Sequence, residues 1–235
     1  MTAGLILHLD TAEGLHELEV SGAVFDCDGL LVDSESIWLQ MLQQWLAEHG
    51  ADAEGPQALR AEDFLGLSVD DTAARLAEAT GAEPAAGERP AREIVVELTR
   101  RYSALLAQGV EPMPGAVELI SALAARAPVA VASNGLRQDV TAMLEQVGIL
   151  DKVRTVCTLD DVLCGKPEPE LYLTAVGRLG IDPAEAVAFE DSPAGAESAR
   201  RAGLTVVGVN HSEAVRLPEP YRLSDLRQVS IGDAA

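Results

Sequence analysis

Aromatic residues are scarce. Two Trp, three Tyr and three Phe make up only 3% of the 235 residues, which excludes the stacking platforms on which single-stranded nucleic acids lie. Positive charge is scarce too. Seventeen Lys and Arg face 38 Asp and Glu, for a net charge of −21 and a pI of about 4.4. Duplex nucleic acid and anionic membrane surfaces would be repelled, so neither is an expected partner. The three cysteines, Cys27, Cys157 and Cys164, have no spacing that suggests a disulfide framework or a zinc site, and a reducing cytoplasm is the expected compartment. No apolar run is long enough to span a membrane. The opening MTAGLILHLDTAEG lacks a basic region and carries Asp10, so no signal peptide is expected. What is present is a 48% hydrophobic composition with a mean hydropathy of +0.11, enough for a packed core and against disorder. A monomer or weak dimer is expected. A small anionic ligand stays open, provided a local cation offsets the carboxylates.

Short apolar runs recur at 22–25 (GAVF), 128–132 (PVAVA), 153–157 (VRTVC), 186–189 (AVAF) and 204–209 (LTVVGV). Runs without alternation suit strands buried on both faces of a parallel sheet. Helical stripes lie between them: Ala116, Leu119, Ile120 and Leu123; Val140, Met143, Leu144 and Val147; Leu171, Tyr172, Ala175, Val176 and Leu179. The alternation predicts an α/β fold with a doubly wound parallel sheet. Residues 37–109 break it, with helical stripes such as Trp38, Met41, Leu42, Trp45, Leu46 and His49, and Ile94, Leu98 and Leu105, around a Gly/Pro/Ala/Glu link at 81–90. The expected organisation is a core of residues 20–36 and 110–235, a helical cap over 37–109 and an N-terminal extension of residues 1–19, with room for a small strand. An insertion directly after the first core strand is placed to act as a lid, because open α/β sheets bind ligands at the carboxyl ends of their strands.

Four segments carry candidate chemistry. Asp26 and Asp28 follow the first strand at i and i+2, on one side of an extended backbone. Two carboxylates at the end of a buried strand are costly without a cation, and a hard divalent ion is the natural partner. A chance Asp pair in a turn is the bland alternative, made weaker by the preceding apolar strand. Gly29 permits the sharp departure that follows. Ser133-Asn134-Gly135 follows PVAVA, where a hydroxyl and free amides at a helix start can cradle a phosphate; alone it would be an ordinary turn. Lys166, between Gly165 and Pro167, can neutralise phosphoryl charge; alone it would be a solvated loop lysine. Glu190 and Asp191 end AVAF, with Ser192 and Pro193 as N-cap and first turn of the next helix; Asp191 could instead cap that helix.

In order, FDCDGLLVDSE (25–35), VASNG (131–135), GKPEP (165–169) and FEDSPAG (189–195) resemble the four motifs of the haloacid dehalogenase superfamily, in the branch of β-phosphoglucomutase and small sugar-phosphate phosphatases. The resemblance runs from about residue 22 to 210. It implies a Rossmann-like core with an inserted helical cap. Asp26 would be the nucleophile that becomes an aspartyl phosphate, and Asp28 the acid/base. Ser133, Asn134, Gly135 and Lys166 would bind phosphate. Mg²⁺ would be held by Asp26, the Asp28 carbonyl, Asp191 and, directly or through water, Glu190. A carboxylate is ionised at neutral pH, so attack by Asp26 needs no separate base. Cys27 points away, toward the core.

The second aspartate favours phosphoryl transfer over dehalogenation. Where the mutase pattern has a cap His and a cap Arg for the distal phosphate, this chain has Trp38 and Val69. Hydrolysis of a small phosphorylated metabolite, a sugar phosphate, is therefore the expected activity. The alternatives are a β-phosphoglucomutase-type mutase and a non-catalytic phospho-ligand binder; the four intact motifs weigh against the latter. Residues 63–72 are expected to face the substrate and set specificity.

Overall fold

The computed structural model describes residues 4–51, 59–65, 67–80, 90–217 and 220–232. Most of the link at 81–90 thus lies outside the described residues. In chain order the elements are β1 (Leu5–Thr11), β2 (Gly14–Val20), β3 (Gly22–Phe25), α1 (Ser34–Glu48), α2 (Val69–Thr80), α3 (Pro90–Leu106), α4 (Ala116–Ala124), β4 (Val129–Ala132), α5 (Arg137–Gln146), β5 (Thr155–Cys157), α6 (Glu170–Leu179), β6 (Ala186–Glu190), α7 (Pro193–Arg201), β7 (Thr205–Val209), β8 (Arg222–Leu223) and β9 (Val229–Gly232). They fall into two units, Met1–Asp33 with Val110–Ala235, and Ser34–Gly109.

The first unit is an α/β fold on a six-stranded parallel sheet of order β5-β4-β3-β6-β7-β8. Its central strands are apolar along their length because helices cover both faces: every residue of β3, β4 and β6 is buried. Phe25 and Phe189 are register partners on β3 and β6, and their rings stack at 4.6 Å. Gly22 opens β3 where a Cβ would press on the Pro128 carbonyl and Ile181 at 2.8 Å, which lets the strand lie close to its neighbour. The stripe of α6 (Leu171, Tyr172, Ala175, Val176, Leu179) packs in one cluster with Val24, Ala130 and Ala188.

The expectation that residues 1–19 are an extension with at most one small strand is corrected. Those residues carry β1 and nearly all of β2, a hairpin that pairs with β9 in a separate three-stranded antiparallel sheet. Its turn uses Gly14 at φ +127°, and the Thr11 hydroxyl donates to the Gly14 carbonyl at 3.0 Å. Leu5, Leu7 and Leu9 alternate with Ile6, His8 and Asp10, and the leucine face is buried.

The second unit is helical. Met41, Leu42, Trp45 and Leu46 of α1, Leu76 of α2, Leu98 of α3 and Phe64 from a short 3₁₀ turn (Ala61–Phe64) form its core. Val69 is the first residue of α2, so the helix replaces the last part of the segment at 63–72. Trp38 lies edge-on to Tyr102, with ring centroids 5.3 Å apart.

Because Leu7 is fully buried, Leu7→Ala should destabilise the protein by about 3 kcal/mol, as measured by denaturant unfolding. A loss below about 0.5 kcal/mol, the size of a typical surface substitution, would mean that the hairpin is not integral to the fold.

Candidate active site

In the sheet order, β4 and β5 lie on one side of β3, and β6, β7 and β8 on the other. The chain therefore reverses its winding beside β3, and at such a switch point the loops leaving neighbouring carboxyl ends diverge and open a crevice. Asp26 sits there, one residue beyond β3, its amide donating to the Phe189 carbonyl at 3.1 Å. The chain then turns sharply: Gly29, at φ +75°, donates to the Val32 carbonyl. A side chain at Gly29 would also overlap the Asp191 carboxylate, so this glycine is required twice.

Lys166 is the centre of the cluster. Its ammonium donates to Asp26 Oδ1 and, at 2.6 Å, to Glu190 Oε1. The Lys166 side chain is 4% exposed, that of Asp26 9% and that of Glu190 0%. The carboxylates of Asp26, Glu190 and Asp191 offer oxygens that lie within 4.8 Å of one another, the metal-competent cluster among the described residues. Of the sequence-predicted residues, these four are brought together directly.

Asp28, Ser133, Asn134 and Gly135 join them through specific hydrogen bonds. Ser133 Oγ donates to Asp28 Oδ2 at 2.9 Å and accepts from the Gly135 amide at 2.8 Å. The Ser133 amide donates to the Cys157 carbonyl of β5. The serine, fully buried, thus aims Asp28. Asn134 makes a two-bond clamp on the Lys166 backbone: its Oδ1 accepts from Lys166 N at 2.8 Å and its Nδ2 donates to Lys166 O at 3.2 Å. Glycine at 165 admits this clamp, since a Cβ there would stand 2.5 Å from Asn134 Oδ1. These two side chains are engaged with other protein groups, where the sequence suggests a direct cradle.

Glu190 is fully committed. Besides Lys166, Oε1 accepts from the Tyr172 hydroxyl at 2.5 Å, and Oε2 accepts from Ser192 Oγ at 3.2 Å. Ser192 also caps α7 by accepting from the Gly195 amide at 3.1 Å, with Pro193 in the first turn as expected. A Cβ at Gly195 would overlap the Glu190 carboxylate. The glycine lets that carboxylate approach the helix N-terminus, whose partial positive charge favours it. Sequence reasoning misses two residues of the site. Tyr172 reads there as one more member of an apolar stripe; its polar tip is the available signal, since a buried tyrosine hydroxyl needs a partner. Asn210, just past β7, donates from Nδ2 to the Asp191 carbonyl at 3.0 Å, and nothing in its sequence context marks it.

The electrostatics show a deficit of positive charge. Burial, reinforced by Glu190 and Asp28 and opposed by Lys166, raises the Asp26 pKa to about 7. Burial beside Asp26 and Glu190 holds Asp191 well above the usual carboxylate range. Asp26 and Glu190 in turn hold Lys166 charged despite its burial. Asp26 is therefore only partly ionised near neutral pH, and more positive charge than Lys166 brings would favour its anion. A divalent cation fits this donor set: hard carboxylate oxygens, clustered and short of counter-charge. Burial and the two flanking aspartates push the Cys27 thiol well up, which makes it an inert core residue.

The model of the haloacid dehalogenase-like hydrolase family matches residues 23–209. The chain is 31% identical over 223 residues to the validoxylamine A 7′-phosphate phosphatase of Streptomyces hygroscopicus subsp. limoneus, covering 88% of this chain and 94% of the relative. It is 31% identical over 219 residues to hexitol phosphatase A of Escherichia coli, covering 91% and 95%. The crystal structure of CbbY from Rhodobacter sphaeroides in complex with phosphate superimposes with a TM-score of 0.65 at 25% identity, over 87% of this chain and 93% of that one. The chain belongs to the haloacid dehalogenase-like hydrolase family.

Proposed function

We propose that the chain hydrolyses a small phosphorylated metabolite, a sugar or sugar-alcohol phosphate, in two steps at Asp26, with Mg²⁺ as cofactor. The observation that carries this is the buried Asp26–Lys166–Glu190 group with Asp191 beside it, at the carboxyl ends of parallel strands and next to a second aspartate aimed by Ser133. A hexitol in the name of one relative supports the substrate class.

In the first step an Asp26 carboxylate oxygen attacks phosphorus, the bond to the ester oxygen breaks, and Asp28 delivers its proton to the leaving alkoxide. In the second, water attacks the phosphorus of the aspartyl phosphate and Asp28 takes its proton. Orthophosphate leaves, and both aspartates return to their starting states. Lys166 faces the charge that develops on the phosphoryl oxygens in both steps. Asp26, Asp191 and the Asp28 carbonyl would hold Mg²⁺. Glu190, committed to Lys166, Tyr172 and Ser192, would act on the ion through water. When bound, the ion supplies positive charge that keeps Asp26 anionic and offsets the phosphoryl charge. Hydrolysis is favoured over the mutase reaction because Trp38, which packs on Tyr102 within the helical unit, and Val69, which opens α2, carry no positive charge for a second phosphate.

Excess EDTA should abolish phosphate release, and Mg²⁺ should raise the melting temperature of the wild-type protein more than that of Asp191→Asn. Full turnover in EDTA, or equal shifts in the two proteins, would count against the metal assignment.

Asp26→Asn should retain at most about a thousandth of wild-type turnover while staying folded. In chelator its stability should also respond differently to pH. The native carboxyl holds its proton up to about 7, whereas the unfolded one loses it near 4. Between these values the native state binds more protons, so this group's contribution to stability falls as pH rises from about 4 to about 7. The asparagine variant should lack that component; identical stability–pH curves would refute the assignment.

Substrate choice should depend on the helical unit. Substitutions at Trp38, Ser68 and Val69 should reorder a panel of phosphate esters by kcat/KM, and an unchanged ranking would remove specificity from this segment.

A further inference from the structure

We propose that Tyr172 is a positioning residue for Lys166: its hydroxyl fixes the Glu190 carboxylate, which in turn holds the ammonium against Asp26. This rests on the phosphatase reading, because it is that reading which assigns Lys166 to the phosphoryl group.

The argument starts from what holds a lysine still. A flexible four-carbon stem separates its backbone from the ammonium, and a buried tip with two competing acceptors has more than one resting place. The backbone end is fixed by the Asn134 clamp. The tip is shared between Asp26 and Glu190, so its position depends on how firmly those acceptors are held. Glu190 is the better placed to serve as a fixed reference, being fully buried and, unlike Asp26, given no part in bond making by the proposed mechanism.

A carboxylate plane is fixed when each oxygen has its own anchor. Oε2 has Ser192 at 3.2 Å, while Oε1 has the Tyr172 hydroxyl at 2.5 Å. The tyrosine contact is the shorter, and it is made to the same oxygen that receives Lys166. Tyr172 is itself fully buried in the apolar stripe of α6, so its hydroxyl is directed by the packing of the helix. Its ring also lies 5.3 Å from the Lys166 ammonium, within reach of a cation–π attraction. Removal of the hydroxyl alone leaves the ring and its packing in place. Apart from Lys166 itself, the carboxylate is then anchored only by Ser192 at 3.2 Å, so Oε1 and the ammonium bound to it can shift together away from Asp26.

The experiment compares Tyr172→Phe with Val176→Ala. Val176 lies one turn further along α6 and is 2% exposed, so its truncation loosens the same helix without touching Glu190. Lys166 and Lys152 are the only two lysines in the chain, and Lys152 lies at the surface beside Asp151, so it serves as an internal reference. Both proteins and the wild type are reductively dimethylated without metal, and the rate at Lys166 relative to Lys152 is read by mass spectrometry. Tyr172→Phe should raise that ratio about tenfold, the size expected for one lost hydrogen bond to a charged group, while Val176→Ala leaves it near the wild-type value. With Mg²⁺ present, kcat/KM for phosphate ester hydrolysis should fall about tenfold in Tyr172→Phe. A wild-type labelling ratio in Tyr172→Phe, or an equal rise in Val176→Ala, would overturn the proposal, the second by reducing Tyr172 to a packing residue. Failure of the wild-type protein to release phosphate from any ester would overturn the phosphatase reading alone, since the labelling ratios would still decide the role of Tyr172.

Discussion

One ammonium, buried between two carboxylates, sets the terms for the rest of the catalytic unit. Removing one partner of such a buried pair typically costs about 3–5 kcal/mol, because the other charge is left without compensation. Lys166, Asp26 and Glu190 must therefore be delivered together, from three different segments, and much of the surrounding chain serves that end. Asn134 ties the second loop to the lysine backbone. Gly165 and Gly195 leave room for the Asn134 and Glu190 side chains. Ser192 joins the Glu190 carboxylate to the cap of α7. Under the proposed function the same device would let a chain of net charge −21 receive a phosphate dianion, by keeping one of its few cations where solvent cannot screen it.

The sheet explains why these segments meet. Parallel strands all point their carboxyl ends to one edge, and β3, β4 and β6 are neighbours. Asp26, Ser133 and Glu190 consequently leave the sheet side by side, although 107 and 57 residues separate them in sequence. The fully apolar strands do more than fill the core. They remove any competing polar site within the sheet, so that the first polar residue on each strand marks where the backbone comes out of the core. Burial does not end there: Ser133 and Glu190 are both still fully buried, and each is accordingly hydrogen-bonded, Ser133 to Asp28 and the Gly135 amide and Glu190 to Lys166, Tyr172 and Ser192.

This regularity is also why so much of the fold is legible in the amino-acid sequence. The strands at 22–25, 129–132, 186–190 and 205–209 fall on the apolar runs, and the helical stripes at 116–124, 137–146 and 170–179 fall on their observed elements. What escapes is of two kinds. The hairpin of β1 and β2 has an alternating pattern, LILHLDT, whose meaning depends on a partner strand more than 200 residues away, Leu9 pairing with Val229. The side-chain commitments of Ser133, Asn134 and Tyr172 are the second kind. Sequence places a hydroxyl, an amide and a phenol near the right strands, but only the loops' mutual approach decides whether each faces the ligand or another protein group. Motif position identifies the residues, and three-dimensional packing decides between contact with substrate and support of a neighbour.

The charge balance gives the arrangement its direction. Asp26, Asp28, Glu190 and Asp191 bring four carboxyl groups to the site, and Lys166 brings one ammonium. Protein groups alone leave an excess of negative charge in a place of low polarity, and the raised pKa values of Asp26 and Asp191 are its signature. Protonation relieves that excess but, under the proposed mechanism, would also disable the attacking group, because a neutral carboxylic acid attacks phosphorus poorly. A divalent cation relieves it by the same amount of charge as two protons and leaves Asp26 anionic. Without the ion the cluster trades charge balance against ionisation of Asp26, and under the proposed mechanism the cation that restores the balance would also favour the carboxylate that attacks.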